Sequence, residues 1–584
     1  MKKLLLMTAI TAAIFAVDAS ASLTELPTIA GSSPLKVDFS TSTGVQNVAN
    51  VPLPNNLYVA GSSAARGFLE RTAEAYAKPG SVIYKYQNTG ASANIFTYVF
   101  TAGDTAVANG LVKDQTYVIH HRTRDGSITA PLIASFPTPD KAVGVTFNSL
   151  ADFAENAANY TCGSAAALTA TAPLMVVCKG TTPEKLVVAP ANATGAAGRP
   201  SVLALNDVDA AQFVSPLNGA NAANGLPKKA LTMGSTAFAA QVFGIGVNLK
   251  LRNAMQTAQL ASGSLPSTCV AGDDTEACMP GFTTAQITSI FAAGRFNDWT
   301  NLSYGTGNLV SANPGKTPRN TAVHICSRTA GSGTLATFQT VFENAPCTVN
   351  EAIQSAVSKT IFPLTSSVLG VEAPSATAKV YHAIESSGDV ENCLASLDGF
   401  DVAKKAASTT GIVGNGNFGA GATQPLVLSP ATSAGDFRWA VGIFNADRNT
   451  TNALPFRFVK IDGYSPSLIN TANGKYKFWS ELSYVTPTPT TKLSLTAQAF
   501  VNGMSKPEII AKSNVKFASW DKTAASASGY MATAARAISG ATAFNPDLPV
   551  MPFTHSNGAA SVGSVNHCRA PAILSGNKLL PGLN

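Results

Sequence analysis

The sequence predicts an α/β fold, and three observations carry the prediction. A strand-like run, Leu57-Tyr58-Val59-Ala60, passes through Gly61-Ser62-Ser63 into a helical stretch, Ala64 to Ala77, with Phe68, Leu69, Ala73 and Tyr76 on one face. The same order recurs at Thr321 to Cys326, where Arg328-Thr329-Ala330-Gly331-Ser332-Gly333-Thr334 opens a helix over Leu335 to Phe342. Gln241 to Asn248 is a continuous apolar run, as expected of a buried strand, and Leu249 to Gln259 after it is helical. Strands alternating with helices argue for a parallel α/β sheet.

The other segments fit around that frame. Residues 22–55 are polar and carry Pro27, Pro34, Pro52 and Pro54, which reads as an extended N-terminal arm. Val82 to Tyr86 is a second strand, followed by Gln87 to Ser92 and a helical stretch from Ala93. Tyr117 to His121 is a third, and Ser201 to Leu205 a fourth that ends in Asn206-Asp207. Thr284 to Ala293 is an amphipathic helix, and Trp439 to Asn445 and Phe456 to Ile461 return to strand character. Two Ala/Thr-rich stretches, about 150–200 and 350–430, read as insertions.

Composition bounds the function. The 584 residues allow roughly four domains of ordinary size, or two large lobes with insertions. Hydrophobic residues at 45% and aromatics at 8% exclude disorder over most of the length. The net charge of +7 forms no basic run, so nucleic acid is not an expected partner, while an anionic ligand remains compatible.

Residues 1–21 have the layout of a cleavable secretory signal: Lys2 and Lys3, an apolar run from Leu4 to Val17, then Ala19-Ser20-Ala21. The run is too short to span a bilayer, and no later stretch is long and apolar enough, so the mature chain is expected to be periplasmic or secreted, without a membrane span. The eight cysteines suit an oxidising compartment: Cys162, Cys178, Cys269, Cys278, Cys326, Cys347, Cys393 and Cys568. Short loops close at the least entropic cost, which favours 162–178, 269–278 and 326–347, leaving 393–568. No cysteine or histidine spacing suggests a zinc finger, so neither a metal nor a cofactor is expected.

Arg328 to Thr334 holds the most informative chemistry. A Gly-Ser-Gly-Thr turn before a helix exposes backbone N–H groups that have no partner within the helix. The helix dipole adds positive charge, and Arg328 adds a planar fork for two oxygens. Together these are the parts of an oxyanion site, although the same residues also make ordinary loops. Gly61-Ser62-Ser63 has the same logic and could equally be a helix cap. Asp207 is by itself a turn or cap residue. In an anion site its carboxylate would accept a hydrogen bond from hydrogen phosphate and repel fully ionised sulfate. His120 and His121 point to opposite faces of a strand and read as structural. Arg122, Arg124 and Ser127 after them are either a solvated loop or further donors. No nucleophile–base motif is visible, so no catalytic residue is expected and the chain does not read as an enzyme.

Five blocks in order resemble the phosphate-binding protein of bacterial phosphate ABC transporters, a type 2 periplasmic binding protein. They are 57–68 (LYVAGSSAARGF), 240–259 (AQVFGIGVNLKLRNAMQTAQ), 284–302 (TAQITSIFAAGRFNDWTNL), 326–334 (CSRTAGSGT) and 458–480 (FVKIDGYSPSLINTANGKYKFWS). The resemblance implies two α/β lobes with a ligand cleft between them: 56–239 and 444–584 in lobe I, 240–443 in lobe II. It implies Ser63, Asp207, Arg328, Ser332, Gly333 and Thr334 as phosphate ligands, with Ser62 and Ser92 as secondary candidates. Ala330 stands where the family has an aspartate holding the arginine, and Ala64 where it has an aromatic. The implied function is capture of phosphate or a related oxyanion for an ABC permease. The alternative is an exported surface or matrix interaction protein that reuses the fold without transport.

Overall fold

The computed structural model describes residues 55–88, 95–123, 160–163, 173–180, 203–209, 212–213, 235–292, 296–316, 320–328, 331–345, 379–384, 387–399, 437–485, 493–514, 527–533, 544–555 and 565–573, with single residues and the backbone of short strands elsewhere. The proposed signal, residues 1–21, lies outside the described residues.

β1 (Asn56–Gly61) runs into α1 (Arg66–Tyr76), whose Phe68, Leu69, Ala73 and Tyr76 are buried, as their spacing on one face predicts. β2 (Val82–Asn88), β3 (Ile95–Thr101) and β4 (Thr116–Arg122) follow. β3 replaces the helix expected from Ala93. Its β-branched and aromatic residues favour a strand, and Phe96, Tyr98 and Phe100, at alternate positions, all enter the core. β5 (Leu174–Gly180) and β6 (Leu203–Asn206) complete this half of the sheet.

β7 (Ser235–Asn248) leads into α2 (Leu249–Ala261), then α3 (Thr284–Phe291), β8 (His324–Arg328), α4 (Gly333–Glu343), β9 (Val380–Ile384), α5 (Ser387–Leu397) and β10 (Ala440–Asn445). The chain returns through β11 (Trp479–Val485), α6 (Leu495–Met504), α7 (Pro507–Ser513) and β12 (Tyr530–Thr533). α3 opens on a reciprocal cap: Thr283 accepts from the backbone of Gln286, whose side chain accepts from the backbone of Thr283.

The main sheet runs β5-β2-β3-β4-β1-β6-β11-β7-β10-β8-β9. It is mixed, where alternation alone predicted parallel. β1 pairs parallel with β4 and β6, and β8 with β9 and β10. The neighbours of β3, β7 and β11 are antiparallel.

β7 joins two cores. Its first half pairs with β11 and packs Phe238 and Ala239 with α1, α6 and α7. Its second half pairs with β10 and packs Phe243, Ile245 and Val247 with α2, α3 and α4. Each large apolar side chain buried this way contributes about 1.5–3 kcal/mol. The long apolar run is thus a strand shared between two hydrophobic centres.

Both stretches read as insertions contain parts of the sheet. β5 pairs in parallel with β2, and β9 with β8, while Val390, Leu394 and Leu397 of α5 pack into a third apolar cluster. Their Ala/Ser/Thr-rich surroundings concealed them.

Cys162–Cys178 and Cys269–Cys278 are paired as expected, and the other two pairs are exchanged: Cys326–Cys393 and Cys347–Cys568. Loop entropy ranks only the unfolded chain. α4 separates Cys326 from Cys347 by roughly 16 Å of helix, whereas bridged Cα atoms lie within about 7 Å. α5 packs on β8 and brings Cys393 to 6.1 Å from Cys326, Cα to Cα.

Candidate functional site

The first turn is built on a close backbone approach. Gly61 has φ +121, and a Cβ there would sit 1.9 Å from the Leu205 carbonyl oxygen. Only glycine lets β1 lie this close to β6. The next residue, Ser62, donates its N–H to that same carbonyl at 2.8 Å. Its hydroxyl accepts from the Ala64 N–H at 2.9 Å. β6 runs parallel to β1 and ends in Asn206-Asp207, so Asp207 emerges beside this turn, buried. Ser63 is half-buried in it.

The second turn lies between β8 and α4. Gly331 takes φ +91, and Ser332 is the N-cap of α4, accepting from the Leu335 N–H at 3.5 Å. Arg328 closes β8 and is only 7% exposed. Its Nη1 donates to Thr334 Oγ1 at 3.3 Å and to Ser387 Oγ at 3.2 Å. Two hydroxyls thus orient the guanidinium.

The two turns meet. Thr334 Oγ1 donates to Asp207 Oδ2 at 3.3 Å, which links α4 to the end of β6. Beside it Thr337 Oγ1 donates to Ser480 Oγ at 3.3 Å, and Ser480 donates to the Asp207 carbonyl. Of the residues expected from the sequence, Ser62, Asp207, Arg328, Ser332, Gly333 and Thr334 are all buried around this junction. Ser92, Arg124 and Ser127 lie outside the described residues.

Four more side chains join the group. Ser387 Oγ donates to Asn445 Oδ1 at 2.9 Å, and Asn445 Nδ2 donates to Asp447 Oδ1 at 2.7 Å. Tyr530 donates to the Ala64 carbonyl at 2.8 Å and lies 3.4 Å from Asp447 Oδ2. Burial, then the negative charges of Asp447 and Asp207, push the Tyr530 pKa well above that of an ordinary phenol, so it stays a donor. A signal for three of the four was present: Ser387 follows a strand and opens a helix, and Asn445-Ala446-Asp447 ends a strand as Asn206-Asp207 does.

His120 and His121 stand apart from this group, in β4. Burial pushes both pKa values down to about 3, so both are neutral at ordinary pH. His120 Nδ1 lies 2.9 Å from Thr97 Oγ1.

Two turns on adjoining cores thus meet here, one presenting an arginine and a helix N-terminus and the other a carboxylate. Residues 167–505, well over half of the chain, match the PBP superfamily domain, and the chain belongs to that family. No curated protein matches the sequence. Similar solved structures include a putative phosphate ABC transporter substrate-binding protein with bound phosphate from Clostridium perfringens, 12% identical, covering 79% of this chain and 98% of that one at a TM-score of 0.33. An ABC-type phosphate transport receptor from Vibrio cholerae is 11% identical over 54% of this chain and 79% of its own, TM-score 0.25. PstS from Borrelia burgdorferi is 12% identical over 54% and 78%, TM-score 0.24. Among the described residues no helix is long and apolar enough to cross a membrane.

Proposed function

We propose that this chain is an exported solute-binding protein that captures hydrogen phosphate, or a closely related oxyanion, between two lobes for ABC-type uptake. The observation that carries this reading is the buried Arg328, framed by hydroxyls at the N-terminus of α4 and joined through Thr334 to Asp207. A guanidinium offers two parallel donors to an oxyanion, and the first-turn N–H groups of Gly333 and Thr334 add to them. Ser62 and Ser63 supply donors from the opposite turn. On binding, the anion takes over contacts that Asp207, Thr334 and Arg328 now make with one another. Asp207 accepts a hydrogen bond from the one P–OH group of hydrogen phosphate, a donor that sulfate lacks.

In this reading residues 1–21 direct export, β7 and β11 serve as the hinge, and a membrane permease receives the closed form. The test is calorimetric titration of the oxidised protein, stripped of carried-over anion by partial unfolding and dialysis. Tight 1:1 binding of phosphate without a sulfate response is expected, and Asp207→Asn should weaken phosphate and admit sulfate. No heat from either anion overturns the reading.

A further inference from the structure

One residue on from Ser480, Glu481 is 1% exposed and holds a second polar centre. Its Oε1 accepts from the His555 N–H at 2.7 Å, and its Oε2 lies 2.5 Å from His555 Nδ1 and 3.3 Å from His567 Nε2. The other ring nitrogen of His567 lies 3.0 Å from Asp209 Oδ2. Both imidazoles line a cavity of about 570 Å³ together with Trp479, Ser480 and Arg569.

We propose that Glu481, His555 and His567 bind a divalent transition-metal ion, zinc by preference. One ligand atom from each lies within 4.8 Å of the others, and all three residues are buried. Two imidazoles and one carboxylate form a donor set that suits zinc, whereas calcium and magnesium require more oxygen. In a tetrahedral set with bonds of ~2.0–2.1 Å the ligand atoms stand ~3.3 Å apart. His567 Nε2 and Glu481 Oε2 are already at 3.3 Å. The His555–Glu481 pair is at hydrogen-bond length, and the ion replaces the proton between them and spreads the pair. Asp209 holds Nδ1 of His567, the usual role of a carboxylate behind a metal-bound histidine, and the ion takes the place of the Glu481 backbone N–H from which Nε2 now accepts at 3.2 Å. The cavity leaves room for a fourth ligand. Coordination needs neutral imidazoles, so each ion bound displaces the protons that the cluster otherwise holds.

The sequence concealed this set because Glu481 and His555 are 74 residues apart and neither lies at finger spacing. An ion here would tie β11 to the C-terminal segment, which Cys568 already bonds to Cys347.

The test takes the full oxidised chain, strips it with a strong chelator and titrates it with zinc against a chromophoric chelator. One ion per chain at submicromolar Kd is expected. His555→Ala should weaken binding by roughly 100-fold and Asp209→Asn by roughly 10-fold or more. Cobalt should give the intense visible absorption of a four-coordinate site in the unmutated protein, which decides the matter even where a variant does not fold. Absence of stoichiometric binding, affinity unchanged in a folded His555→Ala, or only the weak spectrum of six-coordinate cobalt overturns the proposal and leaves a proton-sharing cluster.

Discussion

The two strand-to-helix turns that meet at the candidate site are written in similar residues and used differently. In the first, Gly61 buys close approach of β1 to β6, and the Ser62 hydroxyl is engaged within the turn. The N-cap position of α1 is Ala65, which offers no side-chain cap. In the second, Ser332 caps an 11-residue helix, and Thr334 reaches across to Asp207. The first turn therefore fixes where a carboxylate emerges, and the second delivers the positive charge. A short Gly/Ser motif does not by itself say which of these jobs it performs. What the preceding strand ends in decides, Arg328 in one case and glycine in the other.

Acid gives the largest expected effect on this comparison, because the strand beside the first turn and the strand before the second carry buried neutral histidines. β4 carries His120 and His121 directly beside β1, and β8 begins with His324. Burial holds all three near a pKa of about 3, against 6.5 for an ordinary histidine. Between those values the unfolded chain binds protons that the folded chain refuses. Their stability contribution is present above pH 6.5 and is lost as pH falls toward 3, at about 1.4 kcal/mol per pH unit for each. Urea midpoints measured across that window should fall, and His324→Leu should remove about a third of this slope. A flat profile would mean that the histidines are not buried as described.

Next in size is loss of the charge. Arg328→Ala should cost about 3 kcal/mol of phosphate affinity, roughly 100-fold, while circular dichroism stays unchanged. Unchanged affinity would move the positive pole of the site elsewhere, with Arg66 of α1 the first candidate, since its charge also acts on Tyr530. The smallest effect separates the serines. Ser332→Ala should lower stability by about 1 kcal/mol through its helix cap, and Ser62→Ala by only a few tenths. Equal losses in denaturant melts would remove the distinction between the turns.

The sequence shows what is local. The strand–turn–helix order, the shared strand β7 and the Arg328–Thr334 loop were readable, because apolar period and helix-start chemistry depend on neighbouring residues. Ser387, Asn445 and Asp447 each stand at a readable strand or helix end, but their union with Tyr530 was not legible, since the four come from three segments that only tertiary packing unites. The same holds for the exchanged disulfides and for the Glu481, His555 and His567 cluster. β3 was misread for a different reason: its own alternation spans only seven residues, which leaves a short apolar run open to either assignment.

The disulfide connectivity has a consequence for a chain that is cut. In sequence the bonds Cys326–Cys393 and Cys347–Cys568 overlap, each enclosing one end of the other. A protease that cleaves between residues 348 and 392 therefore produces fragments still joined by two covalent links, and one that cleaves between 394 and 567 leaves one. A nick in either stretch does not separate the fragments on a gel until the disulfides are reduced. The protein can thus lose the continuity of its backbone and still travel as a single molecule.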